Sequence, residues 1–271
     1  MRRVLLHLGL HKTGTTAAQS FLFENRSLIW PHHALVLPYR TRKTGLSEAA
    51  TRYSVYGTPG AMSDFKDQMR HFLNSLEFGQ KRGLVLSEEN FSGLRPSRNV
   101  AVGYEAAPEL ASCLVGLIRD RFAGEDVHIT LYYSLRQRGS WLRSLWAHDL
   151  QRSRLIQDFE TFRARLEPVP SPQIAAEAVR DCLPSVSVRT EWLEDLQGLR
   201  YGPGNTFSEF LDLPPDKAGE LVGPTRSNPR LPEDILQKML EINRSDLDDA
   251  ALIEQKAALV QSVQNDLIGS K

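Results

Sequence analysis

Short apolar runs alternate with longer amphipathic stretches along this chain. The clearest strand-like runs cover residues 4–8, 83–86, 127–133 and 185–188, with a weaker one at 34–37. Runs of this length, bounded by turn residues, are typical of strands that are buried on both faces. Helical periodicity is present at 15–25, 62–76, 106–122, 140–151, 232–243 and 250–264. The alternation predicts an α/β fold with a central parallel sheet flanked by helices.

The breaks between these elements predict how the chain is divided. Pro- and Gly-containing breaks fall near 59–60, 168–172, 202–204 and 214–215, and they are typical of loops rather than of linkers. No internal repeat or low-complexity tract is present. A length of 271 residues is common for one large α/β domain. We therefore expect a single domain over residues 1–271, in which residues 231–271 form a helical C-terminal lobe.

Composition and charge narrow the class of protein. Lys+Arg and Asp+Glu both number 33, so the net charge is zero and no nucleic-acid partner is expected. Cys113 and Cys182 are the only cysteines, which excludes a disulfide framework and a cysteine-rich zinc site. The opening residues imitate a signal peptide, but His7 and Lys12 interrupt the apolar stretch and no cleavage site follows. No apolar run approaches the roughly 20 residues of a membrane span. The expected location is the cytoplasm.

The most informative segment is the loop of residues 9–16, which joins the first strand to the first helix. Such a loop brings backbone N–H groups and the positive end of a helix dipole to one point, and this makes an anion site. Lys12 adds a positive charge, while Thr15 and Thr16 add hydroxyls at the start of the helix. The segment predicts a site for phosphate or sulfate. The alternative is an ordinary turn with a lysine at the surface.

The order of residues in this loop distinguishes between carriers of the anion. In a Walker A loop the lysine directly follows the second glycine, whereas here Lys12 precedes Gly14 by two positions. The K-T-G-T-T order, with Gln19 and Leu22 following, resembles the 5′-phosphosulfate loop of bacterial sulfotransferases that use 3′-phosphoadenosine-5′-phosphosulfate (PAPS). The resemblance implies a three-layer P-loop-like fold, PAPS as co-substrate and no metal. It assigns the donor's phosphosulfate to five residues: Lys12, Thr13, Gly14, Thr15 and Thr16.

A second segment resembles the 3′-phosphate motif of the same family. In that motif an Arg and a Ser stand eight positions apart, as Arg136 and Ser144 do here. An arginine at the carboxyl end of a strand is placed to bind a phosphate dianion with two hydrogen bonds. Ser140 and Ser144 fall on the side of their helix opposite the apolar stripe, so neither is expected in the core. The alternative is a solvated helix face, and the segment departs from many family members at Arg138 and Gly139.

Sulfuryl transfer also needs a base, and the run at 83–90 offers one. Its apolar residues lead into Glu88 and Glu89, and active sites of open α/β sheets lie beyond the carboxyl ends of the strands. The resemblance implies that Glu88 is the base and that Lys12 neutralises the departing phosphate. Glu89 and His11 remain alternatives, and both carboxylates could also be turn residues. A further resemblance at 224–229 implies a phosphate contact from Arg226.

These observations predict a sulfotransferase that moves the sulfuryl group of PAPS to a hydroxyl or amine. Analogy with the family suggests a carbohydrate or lipid-linked acceptor, in a pocket built from loops at 40–60 and 90–104. One alternative is an ATP-dependent phosphotransferase or ATPase, in which 84–89 is a strand whose carboxylate organises Mg²⁺. Another is a catalytically silent nucleotide-binding protein. The sequence does not indicate the oligomeric state.

Overall fold

The computed structural model describes residues 1–97, 100–225 and 231–269, with side chains up to residue 262. The chain divides into two compact units. The first comprises Met1–Gln137 and Val169–Ser227, and the second comprises Arg138–Pro168 and Asn228–Lys271. The C-terminal helices that the sequence predicts as a lobe thus belong to the same unit as Arg138–Pro168.

The first unit is built on a parallel sheet of five strands. In chain order these are β1 Arg2–His7, β2 His33–Val36, β3 Gly83–Ser87, β4 Val127–Leu135 and β5 Ser187–Trp192. Their order across the sheet is β2-β3-β1-β4-β5, and every neighbouring pair is parallel. The prediction of an α/β fold with a central parallel sheet is confirmed, including the weaker run at 34–37.

Fourteen helices lie among the described residues. They are α1 Thr15–Glu24, α2 Arg26–Ile29, α3 Pro38–Lys43, α4 Leu46–Tyr56, α5 Pro59–Asn74, α6 Ala107–Arg121, α7 Arg138–Arg152, α8 Phe159–Arg165, α9 Pro172–Cys182, α10 Leu193–Leu196, α11 Asn205–Leu211, α12 Pro215–Gly219, α13 Glu233–Arg244 and α14 Asp249–Gly269. Two short 3₁₀ turns cover Glu89–Ser92 and Gly202–Gly204. The expectation that residues 40–60 form loops is wrong, because α3 and α4 occupy most of this segment. α3 has only six residues, and the buried face of α4 consists mostly of the small residues Ser47, Ala49 and Ala50, so neither helix has a clear apolar repeat in the sequence.

Both faces of the sheet are covered. One face forms a core with α1 and α11, which contains Leu5, Phe21, Leu22, Leu35, Val85, Tyr132 and Phe207. Side chains alternate along a strand, so the neighbouring residues point to the other face. There Val4, Leu6, Leu84 and Leu86 are fully buried as well. Burial on both faces explains why these strands appear in the sequence as continuous apolar runs.

The strand order places the loop after β1 at a point where the chain reverses direction across the sheet. The connection after β1 leads to β2 on one side, whereas the connections after β3 and β4 lead towards the other side. Right-handed crossovers then put the following helices on opposite faces of the sheet. Ligands of open α/β sheets bind in the crevice at such a switch point. The loop of residues 9–16 therefore lies where a ligand site is expected.

The second unit consists of helices. The buried face of α7 carries Trp141, Leu142, Leu145, Trp146 and Leu150, as its periodicity predicts. The side-chain amide of Asn243 on α13 donates to the carbonyls of Leu150 and Leu155, at 3.1 and 3.0 Å. These bonds fix α13 against the end of α7. None of the helices in the described part of the chain combines the length and the apolar character that crossing a membrane requires.

A substitution at the start of β3 tests the packing of the sheet. A Cβ atom at Gly83 would lie 2.0 Å from the carbonyl oxygen of Arg3 and 2.7 Å from the ring of His33. We expect Gly83→Ala to lower the free energy of unfolding by about 1–3 kcal/mol or more, because strand β1 must move. The measurement is urea unfolding followed by circular dichroism.

The matched control is Gly116→Ala on α6, where nothing lies within 4 Å of an added Cβ. There an alanine is expected to raise stability by roughly 0.5–1 kcal/mol, since it restricts the unfolded chain and favours helix. Equal effects of the two substitutions would contradict the packing described for β3.

Candidate functional site

The loop between β1 and α1 has the backbone geometry of an anion site. Gly14 precedes the helix with φ 95°, a left-handed conformation that favours glycine. No acidic residue stands in the first turn of α1. Among the described residues, none accepts a hydrogen bond from the backbone N–H of Gly14 or Thr15. Two donors and the positive end of a ten-residue helix thus meet beside Lys12.

The side chains that the sequence assigns to this loop differ in accessibility. Lys12 and Gly14 are half-buried and Thr16 is exposed, whereas Thr15 is largely buried. Thr13 is fully buried, and its hydroxyl donates to the Leu10 carbonyl at 2.6 Å. The side chain of Thr13 therefore holds the loop together, and only its backbone can contact a ligand. Sequence spacing does not distinguish this inward threonine from its neighbours.

A buried histidine forms the floor beneath the loop. The Nδ1 atom of His7 lies 2.8 Å from the hydroxyl of Ser87, and Nε2 lies 3.5 Å from that of Ser134. The Ser134 hydroxyl in turn lies 2.8 Å from the Thr13 hydroxyl. Burial lowers the pKa of His7 to about 3, so the ring is neutral at ordinary pH. These bonds connect β3, β1 and β4 to the loop, and the prediction that His7 is buried is confirmed.

Arg136 directly follows β4 and lies beside the loop of residues 9–16. Its guanidinium donates to the carbonyl of Lys12 at 3.0 Å, so it supports the backbone at the residue that carries the charge. Ser144 is half-buried on α7, in the second unit, and its predicted contact with a 3′-phosphate stays a prediction. Arg226 lies outside the described residues.

The carboxyl group of Glu88, the predicted base, is enclosed. Its backbone N–H donates to the His7 carbonyl at 3.1 Å, which continues the β1–β3 ladder by one residue. Its carboxyl accepts from the hydroxyls of Thr41 and Ser47, the latter at 2.8 Å, and from the Asn90 N–H at 3.1 Å. Glu88 is fully buried. This geometry does not favour Glu88 as a base that meets an acceptor.

The surroundings of Glu88 raise the pKa of its carboxyl. Burial is the largest cause and the nearby charge of Glu89 adds to it, whereas the hydrogen bonds from Thr41, Asn90 and Ser47 oppose the rise. The Thr41 hydroxyl also contacts the Pro38 carbonyl, at 2.9 Å. Thr41 and Ser47 were not predicted, because they lie on helices that the sequence pattern does not reveal.

Glu89 and His11, the two alternative bases, lie nearer to the loop and α1. One oxygen of Glu89 accepts from the side-chain amide of Gln19 on α1 at 2.9 Å, and the other lies 3.4 Å from the guanidinium of Arg42. The backbone N–H of His11 donates to the Tyr104 hydroxyl at 3.0 Å. Burial lowers the pKa of His11 to about 4, although the charge of Glu89 opposes this. The imidazole is therefore neutral near pH 7.

A groove of about 430 Å³ lies beside these residues, between α3, α4 and the turn after β3. We call it the α3–α4 groove, and its lining residues are Arg42, Ser47, Glu48, Thr51, Arg52, Val55, Tyr56 and Asn90. Six of these eight side chains are polar. The groove falls within the segments predicted for the acceptor pocket, although most of its wall is helical rather than loop.

Comparison with protein-family models finds no match to this sequence. Comparison with curated proteins finds no significant match either. Among the described residues, no group of three or more His, Cys, Asp or Glu side chains is arranged to hold a metal ion.

The enclosed carboxyl predicts a pH dependence of stability. Because the pKa of Glu88 is higher in the folded than in the unfolded chain, its contribution to stability falls as pH rises above its ordinary value of 4.5. The buried histidines His7, His11 and His33 have lowered pKa values, so their contribution changes in the opposite direction. We expect Glu88→Gln to remove the contribution of the Glu88 carboxyl to the pH dependence of stability and to leave the contribution of the histidines unchanged. The variant's urea midpoint should then fall less, or rise more, than that of the parent protein between about pH 4.5 and about pH 7.5.

Glu77→Gln serves as the control, since Glu77 is exposed and follows α5. Its midpoints should track those of the parent protein at each pH. An unchanged pH dependence in Glu88→Gln would mean that the buried carboxyl titrates as it does in the unfolded chain.

Proposed function

We propose that this protein is a sulfotransferase that moves the sulfuryl group of PAPS to a hydroxyl or amine acceptor. The observation that carries the proposal is the loop of residues 9–16, where a lysine and unsatisfied backbone donors surround the start of α1. The position of Lys12 before Gly14 separates this loop from a Walker A loop. The strand order β2-β3-β1-β4-β5, with the loop after the central strand, supports a P-loop-like fold.

The residues of the loop suit the donor's phosphosulfate. The backbone N–H groups of Gly14 and Thr15 are available to oxygens of an anion, and Lys12 supplies a full positive charge. Arg136, at the end of the neighbouring strand β4, is proposed to bind the 3′-phosphate. In this proposal the donor lies across the carboxyl ends of β1 and β4.

The chemistry is an in-line displacement at sulfur. The acceptor oxygen forms a bond to sulfur while the bond from sulfur to the bridging oxygen breaks, and the electron pair leaves on the 5′-phosphate of 3′,5′-ADP. Lys12 stabilises the charge that grows on that oxygen, and a carboxylate takes the proton of the acceptor. Holding the two reactants in line supplies much of the acceleration. The protein's own cations neutralise the charge, so the proposed reaction requires no metal.

Binding of the spent donor tests the proposal. We expect 3′,5′-ADP to bind in the presence of EDTA, and Lys12→Ala to weaken binding by about ten- to a hundredfold, because a hydrogen bond to a charged group contributes about 1.5–3 kcal/mol. Arg136→Ala should weaken binding at least as much, since it also removes the support of the Lys12 carbonyl. Isothermal titration calorimetry measures both.

Lys81→Ala is the control for loss of a positive charge, because Lys81 is exposed just before β3, at the opposite end of the sheet from the loop. Its affinity for 3′,5′-ADP should equal that of the parent protein. A preference for ATP with Mg²⁺ over 3′,5′-ADP would instead support a phosphotransferase. Donor binding without transfer of labelled sulfate to sugars, lipids, phenols or water would support a silent nucleotide-binding protein.

A further inference from the structure

The two adjacent carboxyls after β3 lie on opposite sides of the backbone. Glu88 has extended backbone angles, φ −154° and ψ 112°, so the side chains before and after it point the same way. The contacts agree: the amide of Gln19 reaches both the Ser87 hydroxyl, at 3.3 Å, and the Glu89 carboxyl, at 2.9 Å. Glu88 points instead to Thr41 and Ser47. Only Glu89 therefore lies on the side of α1.

Gln19 holds Glu89 near the loop of residues 9–16, which we call the anion loop. Gln19 is the fifth residue of α1, about 6 Å along the helix axis from Thr15 at a rise of 1.5 Å per residue. A carboxyl held by Gln19 is thus close to the end of α1 that carries the proposed phosphosulfate site. The same carboxyl carries a negative charge that acts on His11, the neighbour of Lys12.

Glu89 also lies at the border of the α3–α4 groove. Arg42, whose guanidinium lies 3.4 Å from the Glu89 carboxyl, lines this groove, and so does the next residue, Asn90. The Glu89 side chain remains 15% exposed, whereas Glu88 is fully buried. An acceptor in the groove would therefore meet Glu89 before any other carboxyl of the β3 turn.

We propose that Glu89 is the general base for an acceptor hydroxyl bound in the α3–α4 groove, and that Glu88 is a positioning residue. This inference rests on the proposed sulfotransferase function. The Glu89 carboxylate takes the proton of the acceptor hydroxyl as its oxygen bonds to sulfur. The bond between sulfur and the bridging oxygen breaks, and its electron pair leaves with 3′,5′-ADP.

The positioning role of Glu88 follows from its three contacts. Through Thr41 and Ser47 its carboxyl joins α3 and α4 to the end of β3, and through the Asn90 N–H it shapes the turn that carries Glu89. Arg42 belongs to the same short helix as Thr41. Glu88 thus sets the distance between the groove and Glu89 without contacting an acceptor itself.

The lining of the groove combines polar groups with apolar surface. Arginine, carboxylate, amide and hydroxyl groups make up six of its eight side chains, and Tyr56 adds an exposed aromatic ring. Most of the surface that the lining exposes is nevertheless apolar. The groove therefore suits an acceptor that has both hydroxyl groups and an apolar portion.

The test compares Glu89→Gln with Glu88→Gln in the full chain. The probes are ³⁵S-labelled PAPS, with methyl glucoside, methyl glucuronide and water as acceptors, and 3′,5′-ADP for binding. We expect Glu89→Gln to lower kcat by about a hundredfold or more, with 3′,5′-ADP affinity within about twofold of the parent value. The acid limb of the pH–rate profile should be lost with it. Glu88→Gln should lower kcat only several-fold and keep that limb.

The outcomes test the assignment of the base separately from the sulfotransferase function. If Glu89→Gln keeps the parent kcat and acid limb while the parent protein transfers sulfate, the assignment of the base is wrong and the sulfotransferase function stands. If the acid limb is lost in Glu88→Gln and not in Glu89→Gln, Glu88 is the general base. If the parent protein does not bind 3′,5′-ADP, or binds it and transfers sulfate to no sugar, lipid, phenol or water, the proposed function fails and the base assignment fails with it. Glu77→Gln, on the exposed turn after α5, controls for loss of a carboxylate and should match the parent protein throughout.

Discussion

The neutral imidazole of His7 is the constraint on which the loop depends. A neutral ring has one donor and one acceptor nitrogen, and here each nitrogen faces a hydroxyl, from Ser87 on β3 and from Ser134 on β4. A protonated ring would be a buried charge with no carboxylate on either nitrogen, which is costly in an apolar core. The ring also stacks on Tyr132, with centroids 4.9 Å apart. The hydrogen bonds of the neutral His7 ring, with those of Ser87 and Ser134, thus connect three strands to the anion loop.

The period of two along an extended strand separates two chemically identical side chains. Glu88 turns into the protein and joins two helices, while Glu89 turns towards α1 and solvent. Burial makes one of these carboxyls a hydrogen-bonding group within the fold and leaves the other available to a ligand. Differences of this kind between titratable neighbours are typical of functional sites. The alternation of side chains along one strand therefore decides that Glu88 is enclosed and that Glu89 stays accessible.

Much of the fold is visible in the sequence because the buried elements have strong patterns. The five strands and six of the helices were predicted within a few residues, and so was the strand–loop–helix that carries Lys12. Helices α3 and α4 were missed, since α3 has only six residues and α4 packs mostly through small residues. The inward direction of Thr13 and the enclosure of Glu88 were also beyond sequence reasoning. Both depend on Ser134, Thr41 and Ser47, which reach them only through tertiary packing.

The backbone of Lys12 shows what the proposed anion site requires of the chain. Its φ of 69° lies in the left-handed region, where a side chain other than glycine costs roughly 1–2 kcal/mol. The Arg136 guanidinium offsets part of this cost through the Lys12 carbonyl. Selection for stability alone would place a glycine or an asparagine here. A lineage that did not need the cation would gain from losing it, so a lysine retained at this strained position in related chains would support the proposed anion site.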